Sequence, residues 1–243
     1  MMKRGFTHLM TMSGKRPSMR LFISIRQWIF LGFLLVAVSL PGISPKAKAD
    51  DNEGMKETFQ IMPLNQTMGS IDPATGAVRL NRTRNEIWGS VHVTELNPNS
   101  AFTLWAAVFN RPEECLTNPA GPVHCSSADF VPVPNPARGS AFNIGAFVTG
   151  ATNGTANVSF RIPSGAPPEG VFVLWGQGGL FDNGVKPGLH EGNGFGAEVH
   201  VVIRAHGVII PGSIADQLSQ FNGGCPPNMC GNVQVAPFPS VNP

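Results

Sequence analysis

The side chains of this chain best suited to chemistry are imidazoles and carboxylates set into apolar segments. In Ala197–His206 the odd positions are all apolar, while the even ones carry Glu198, His200, Arg204 and His206, interrupted only by Val202. A strand alternates its side chains between two faces, so this spacing predicts valines toward a core and charges toward a solvated face. His200 and His206 lie six residues apart, about 20 Å along a strand, and cannot share one ion. His92, in Ser90–Thr94, also falls on a polar face. If strands 87–96 and 197–206 were neighbours, His92 and His200 would meet about 5 Å apart across the ladder. With Glu198 or His190 such a pair forms a candidate copper or zinc site, because both metals accept imidazole and carboxylate ligands and take three or more of them. The bland alternative is two hydrogen-bonded histidines on a wet sheet face. His190 and Glu191 come from a glycine-rich connection, 176–196, which must fold back over the sheet to contribute; Asp182 and Glu191 are its candidate ligand-binding residues.

Other chemistry finds little support. G-x-S-x-G, Walker A, H-E-x-x-H and C-x-x-C patterns are missing from the sequence, so no nucleophile or phosphate cradle is indicated. Asp182-Asn183-Gly184 reads as a tight turn rather than a calcium loop, which would need later acids and a closing Glu. Glu191 and Glu198 could serve glycoside hydrolysis only at a separation that sequence does not set. The balance leans away from an enzyme and toward a binding or structural module. Trp88, Trp105 and Trp175 are either a sugar-stacking platform or, as the favoured reading has it, core residues. Cys115, Cys125, Cys225 and Cys230 read as two local disulfides, 115–125 and 225–230; the competing reading is a four-cysteine zinc site with unusual spacing.

The elements that must position these groups are short strands. Apolar runs of four to ten residues, separated by Gly, Pro, Asn and Ser, predict an all-β antiparallel sandwich of eight or nine strands with one short C-terminal helix. The expected strands lie near 58–62, 77–82, 87–96, 101–110, 140–149, 155–162, 170–176, 197–206 and 232–238. Turns at 97–100 and 150–154 suggest two hairpins. Residues 101–109 and 171–175 are apolar on both faces, which suits central strands or strands whose outer face is covered. In the helix, Ser213 and Asp216 suit a capping box, Gly223-Gly224 a stop, and Ile214, Leu218 and Phe221 a packing stripe. The connections 111–139 and 176–196 exceed ordinary loop length, which suits either a functional or a poorly ordered excursion.

Composition places the protein in a compartment. Residues 1–49 hold eight Lys/Arg and no acid, leaving nine basic and fifteen acidic residues and a net charge of −6 for positions 50–243. Nucleic acid is therefore a poor partner. Arg20 and Arg26, the apolar run Trp28–Leu40 and Ala47-Lys48-Ala49 form the parts of a signal peptide, 1–49. The run, about 20 Å as a helix, is too short to span a bilayer, so no stable membrane insertion is expected after cleavage. A flexible acidic leader, 50–57, and one sandwich domain, 58–243, should follow in a periplasmic or secreted protein whose partner is a glycan, a protein or an envelope component. Four sequons, at Asn65, Asn81, Asn153 and Asn157, fit a surface location.

Several segments resemble a family of uncharacterised, exported bacterial proteins: Asn85–Trp88, Phe102–Asn110, Ala197–Gly207, Asp216–Cys225 and Cys230–Ala236, spanning roughly residues 77–238. That resemblance implies a common fold and the disulfides, and it carries no established activity to this chain. The His-bearing strands are also similar, at the level of fold, to the CHRD domain and to copper–zinc superoxide dismutase sandwiches. The dismutase pattern needs His-x-His on one strand. Here both positions read Val-His-Val, which argues against that activity.

Overall fold

The period-two segments resolve into ten strands, one α-helix and two 3-10 turns in a computed structural model that describes residues 58–63, 65–66 and 75–241. The expected signal peptide and leader lie outside the described residues. Numbered in chain order, β1 (Thr58–Pro63), β3 (Thr75–Arg82), β4 (Glu86–Thr94) and β7 (Ala156–Pro163) form one antiparallel sheet in the order β1-β3-β4-β7. The second sheet runs β2 (Asn65–Gln66), β10 (Gly231–Phe238), β9 (Glu198–Val208), β5 (Ser100–Phe109), β6 (Gly139–Val148), β8 (Val173–Trp175). The two sheets share one apolar core, with Val78, Leu80, Ile87 and Phe160 from the first and Phe102, Leu104, Val201 and Ile203 from the second. The fold is the expected all-β sandwich.

The two predicted hairpins are instead corners. β4 and β5 belong to different sheets, as do β6 and β7, so residues 97–99 and 149–155 each carry the chain across the core. They do so side by side. Leu96 N–H donates to the Gly154 carbonyl (3.0 Å), Asn99 N–H to Gly150 (3.0 Å), and the buried Thr149 hydroxyl to Asn97 (2.6 Å). Turn residues mark where a chain reverses, and they say nothing of which sheet receives it.

β5 is buried at every position. Its even-numbered residues enter the core, while Trp105, Ala107 and Phe109 face a second apolar cluster on the outer side of the six-stranded sheet. That cluster lies under the 110–138 connection, which contains the 3-10 turns Pro112–Glu114 and Ser127–Phe130 and supplies a lid of Cys115, Cys125, Phe130 and Ala137. The lid is pinned by the Cys115–Cys125 disulfide (Cα–Cα 5.2 Å) and by Asp129. The Asp129 carboxylate accepts from Leu116 and Ser126 N–H (both 2.8 Å) and from the Thr117 hydroxyl. Burial alone would raise this carboxyl; those hydrogen bonds, with one from Thr117 N–H, outweigh it and hold it below the usual range. The double-sided apolarity of β5 thus reports a covered outer face. β8, also apolar on both faces, is by contrast an edge strand. Residues 176–181 fold back along it, with Leu180 and Phe181 N–H donating to Val173 and Leu174, and so blunt the edge.

The helix, α1 (Ile214–Ser219), is shorter than expected, and Ser213 makes no side-chain cap. Its buried residue is Gln217 rather than a member of the Ile214–Leu218–Phe221 stripe. Gln217 binds backbone instead, donating to His206 and Val208 carbonyls (3.3 and 3.1 Å) and accepting from Ile210 N–H (2.9 Å). An amide that satisfies a strand end is worth burying, and the apolar stripe is left half-exposed.

Candidate functional site

Glu198 and His200 stand on β9 where the sequence alternation puts them, on the outer face of the sheet, but that face is not solvated. Glu198, His206 and Arg204 are buried, Glu198 and His206 completely. A carboxylate cannot be buried without hydrogen bonds, and Glu198 has three. His124 and Cys125 N–H donate to its two oxygens (2.8 and 2.9 Å), and His200 Nε2 lies 2.8 Å from Oε1. Glu198 thereby ties the lid to the sheet and fixes the ring of His200. It also acts on Arg82, buried on the other sheet, whose guanidinium donates to the carbonyls of Gly194, Ala197, Phe238 and Pro239. Burial lowers Arg82 to about 10, against the opposing pull of Glu198.

His206 is structural. Trp105 Nε1–H donates to Thr103 Oγ1 (2.7 Å), so the Thr103 hydroxyl is free to donate to His206 Nε2 (2.7 Å), and His206 Nδ1–H donates to the Gly223 carbonyl (2.9 Å). This chain accommodates the neutral imidazole, with every polar group in it paired. Burial lowers the His206 pKa, the Gly223 hydrogen bond opposes the change and Arg204 adds to it. His206, Cys225 and Cys230 are the one group of three potential metal ligands among the described residues, with ligand atoms within 4.8 Å. Both sulfurs are joined in the Cys225–Cys230 disulfide and both ring nitrogens are hydrogen-bonded, so the group is complete without an ion. The cysteines are paired as expected, 115–125 and 225–230.

The expected meeting of His92 and His200 does not occur. β4 and β9 lie in different sheets, and His92 faces outward from the other side of the sandwich, its Nδ1 2.7 Å from Asn157 Oδ1 on β7. His190 is elsewhere again, in the connection after β8, with its N–H on Asn110 Oδ1 (2.8 Å). Glu191 beside it is exposed. The Asp182 carboxylate is occupied by Gly178 and Gly184 N–H (3.1 and 2.8 Å), which lower its pKa and make the tight turn. The long connection does fold back on the sheet, but it brings none of these groups to His200.

What surrounds His200 instead is aromatic. A cleft of about 360 Å³ lies between the lid and the sheet, with His200, Ser127 and Asn232 as its polar groups. One wall is a ladder of rings, Phe109 on Phe130 (centroids 4.7 Å) and Phe130 on Trp175 (5.7 Å), which Phe181, outside the cleft lining, extends by packing on Trp175 (4.7 Å). It climbs from fully buried Phe109 to Phe181, which is 44% exposed. Phe221 forms the facing wall, edge-on to Trp105 (5.4 Å) and covered by the Arg204 guanidinium (3.7 Å). Trp105 is buried, as the core reading expects; Trp175 and Trp88 are half-buried. Phe130, Phe181 and Phe221 escape a strand-based reading because loops deliver them. The available signal is large apolar residues inside Pro- and Gly-rich connections. Compared with models of known protein families, with curated proteins and with solved structures, the chain matches none.

Proposed function

We propose that this chain is an exported, non-catalytic binding module that holds a small amphipathic ring, such as a sugar unit of an envelope glycan, in the cleft beside His200. The observation that carries this reading is the aromatic ladder rising from the floor of the cleft to solvent. The edges of the stacked rings offer an apolar wall to a ligand, and His200, Ser127 and Asn232 line the cleft as polar groups for its polar edge. The cleft volume falls within the usual range for small-molecule sites, about 300–1,000 Å³. Binding rather than turnover is favoured because Glu198 spends its oxygens on the lid and on His200, while no nucleophile among the described residues is hydrogen-bonded to that imidazole. Export is supported by the Trp28–Leu40 segment with its A-x-A site and by two disulfides, which persist in oxidising compartments. Among the described residues no helix is long and apolar enough to cross a membrane. The resemblance to exported bacterial sandwiches points the same way.

A glycan array on the chain from Asp50, followed by titration of tryptophan fluorescence with the best glycan and with indole as a plain aromatic ring, tests the proposal. Saturable quenching, weakened about tenfold in Trp175→Ala, is expected. Absence of saturable binding to every glycan and to indole refutes it.

A further inference from the structure

A second cleft lies under the same two long connections, and its chemistry is opposite to that of the first. The chain beyond residue 49 carries a net charge of −6 and only nine Lys/Arg. Eight of these are described. Arg82 and Arg204 are buried on carbonyls, and Arg161 pairs with Glu86. Of the remaining five, Arg138 and Lys186 line the same two hollows as the imidazole of His190. Burial lowers its pKa first, and Arg138, Arg111 and Lys186 lower it further. Among the described residues none of the three cations is salt-bridged to a carboxylate.

The scaffold beneath them is tied down. Asn110, at the end of β5, donates to the Gly188 carbonyl (3.0 Å) and accepts from His190 N–H (2.8 Å). Ser140 Oγ accepts from Gly188 N–H (3.0 Å), and Arg111 N–H donates to Ala137 across the neck of the lid connection (3.0 Å). Asn135 and Asn183, both buried, bridge the lid, β6 and the glycine-rich connection through Asp129, Phe130 and Gly139. Arg138 is held with φ +49°, a left-handed conformation that costs a non-glycine residue about 1 kcal/mol and persists only where neighbours enforce it. Two adjoining hollows, of about 450 and 400 Å³, share Arg138, Lys186 and His190 as lining. The larger has no acidic residue in its wall, and the smaller has one, the exposed Glu191. Asp182, on the same connection, lines neither hollow and is engaged by Gly178 and Gly184 N–H.

Cations gathered around a hollow with no carboxylate salt-bridged to them repel one another, and an anion between them relieves that repulsion. We propose that this cleft binds a tetrahedral oxyanion, the phosphate or sulfate group of an ester or the free ion, between Arg138 and Lys186 with His190 beside them. Arg supplies a planar fork and Lys a mobile point charge, the two complements a tetrahedral oxyanion needs. The neutral imidazole becomes a third donor when the anion's charge offsets that of its neighbours, so binding takes up a proton. Affinity for sulfate, whose own charge is constant in this range, should therefore rise as pH falls from about 7.5 to about 5.5, whereas phosphate itself takes up a proton at about pH 6. The proposal does not depend on the aromatic cleft, and either can fail alone.

The test is calorimetric titration of the chain from Asp50, at low ionic strength, with inorganic phosphate, sulfate, glucose 6-phosphate, glucose 6-sulfate and glucose. Arg138→Asn removes the charge but keeps a residue that tolerates a left-handed backbone. Lys186→Gln acts at an exposed site and carries the test even if the first variant misfolds. Saturable binding of at least one anion, not competed by glucose and weakened about fivefold to tenfold in each variant, is expected. His190→Gln should flatten the pH dependence, and Arg79→Gln, on the outer face of β3, should change nothing. The ester and free-ion titrations identify the source of the group. No saturable anion binding, binding indifferent to Arg138 and Lys186, or binding equally weakened by Arg79→Gln would overturn the proposal.

Discussion

Removing the Glu198 side chain tests the idea that one buried carboxylate holds the lid on the sandwich. Glu198→Ala leaves His124 N–H and Cys125 N–H without acceptors and leaves His200 Nε2 without its partner, in a place where no part of residue 198 is exposed. Each buried donor left unsatisfied costs about 1–3 kcal/mol, so the two backbone groups alone imply about 2–6 kcal/mol. Relaxation of the lid and water entering from the His124 side should bring the loss to about 4 kcal/mol, a large share of the 5–15 kcal/mol that stabilises a typical domain. Glu198→Gln keeps the volume and one acceptor, while its NH₂ opposes one of the N–H donors; a loss of about 2 kcal/mol is expected. Urea unfolding followed by far-UV circular dichroism gives both values. Limited proteolysis within 111–139 should accelerate in Glu198→Ala more than cleavage elsewhere, because the lid loses the bonds that join it to β9. A change in stability below about 0.5 kcal/mol, the level of an ordinary surface substitution, would refute the role assigned to Glu198.

Three further outcomes follow from the packing. Gly154→Ala places a Cβ onto the Leu96 carbonyl oxygen where the two corners cross, and should destabilise by about 2 kcal/mol or more in the same urea assay. Opening the Cys115–Cys125 disulfide as the double serine variant, which frees a loop of sequence separation 10, should lower stability by about 3 kcal/mol, read as a fall in the unfolding midpoint. The pH profile of stability should decline on the acid side in two stages. His206 and His190 have folded pKa values below the ordinary 6.5, so unfolding takes up protons and their contribution, full above about pH 6.5, is lost as pH falls. Asp129, also depressed, adds a second loss below about pH 4. In His206→Gln the decline just below about pH 6.5 should shrink.

Strand positions were legible because one face of each strand meets a continuous core. The alternation of Ala156, Val158, Phe160 and Ile162 needs nothing beyond the period of a pleat, and β7 lies where that period puts it, from Ala156 to Pro163. Pairing partners were not legible. The turn residues at 97–100 fit a hairpin and a corner equally well, and assigning β4 and β5 to separate sheets takes His92 away from His200. The same limit governs the polar face of β9. Charges at alternate positions signal solvent when nothing covers the strand, yet the same pattern serves a buried network when a distant loop brings donors. The sequence offers a hint in β5, where Trp105, Ala107 and Phe109 leave no polar face at all beside β9. A covered strand needs a cover, and the connection long enough to provide one is the disulfide-bearing stretch just after it. Glu198, His200 and the aromatic cleft are thus consequences of the lid, and the lid is the element that strand periodicity cannot see.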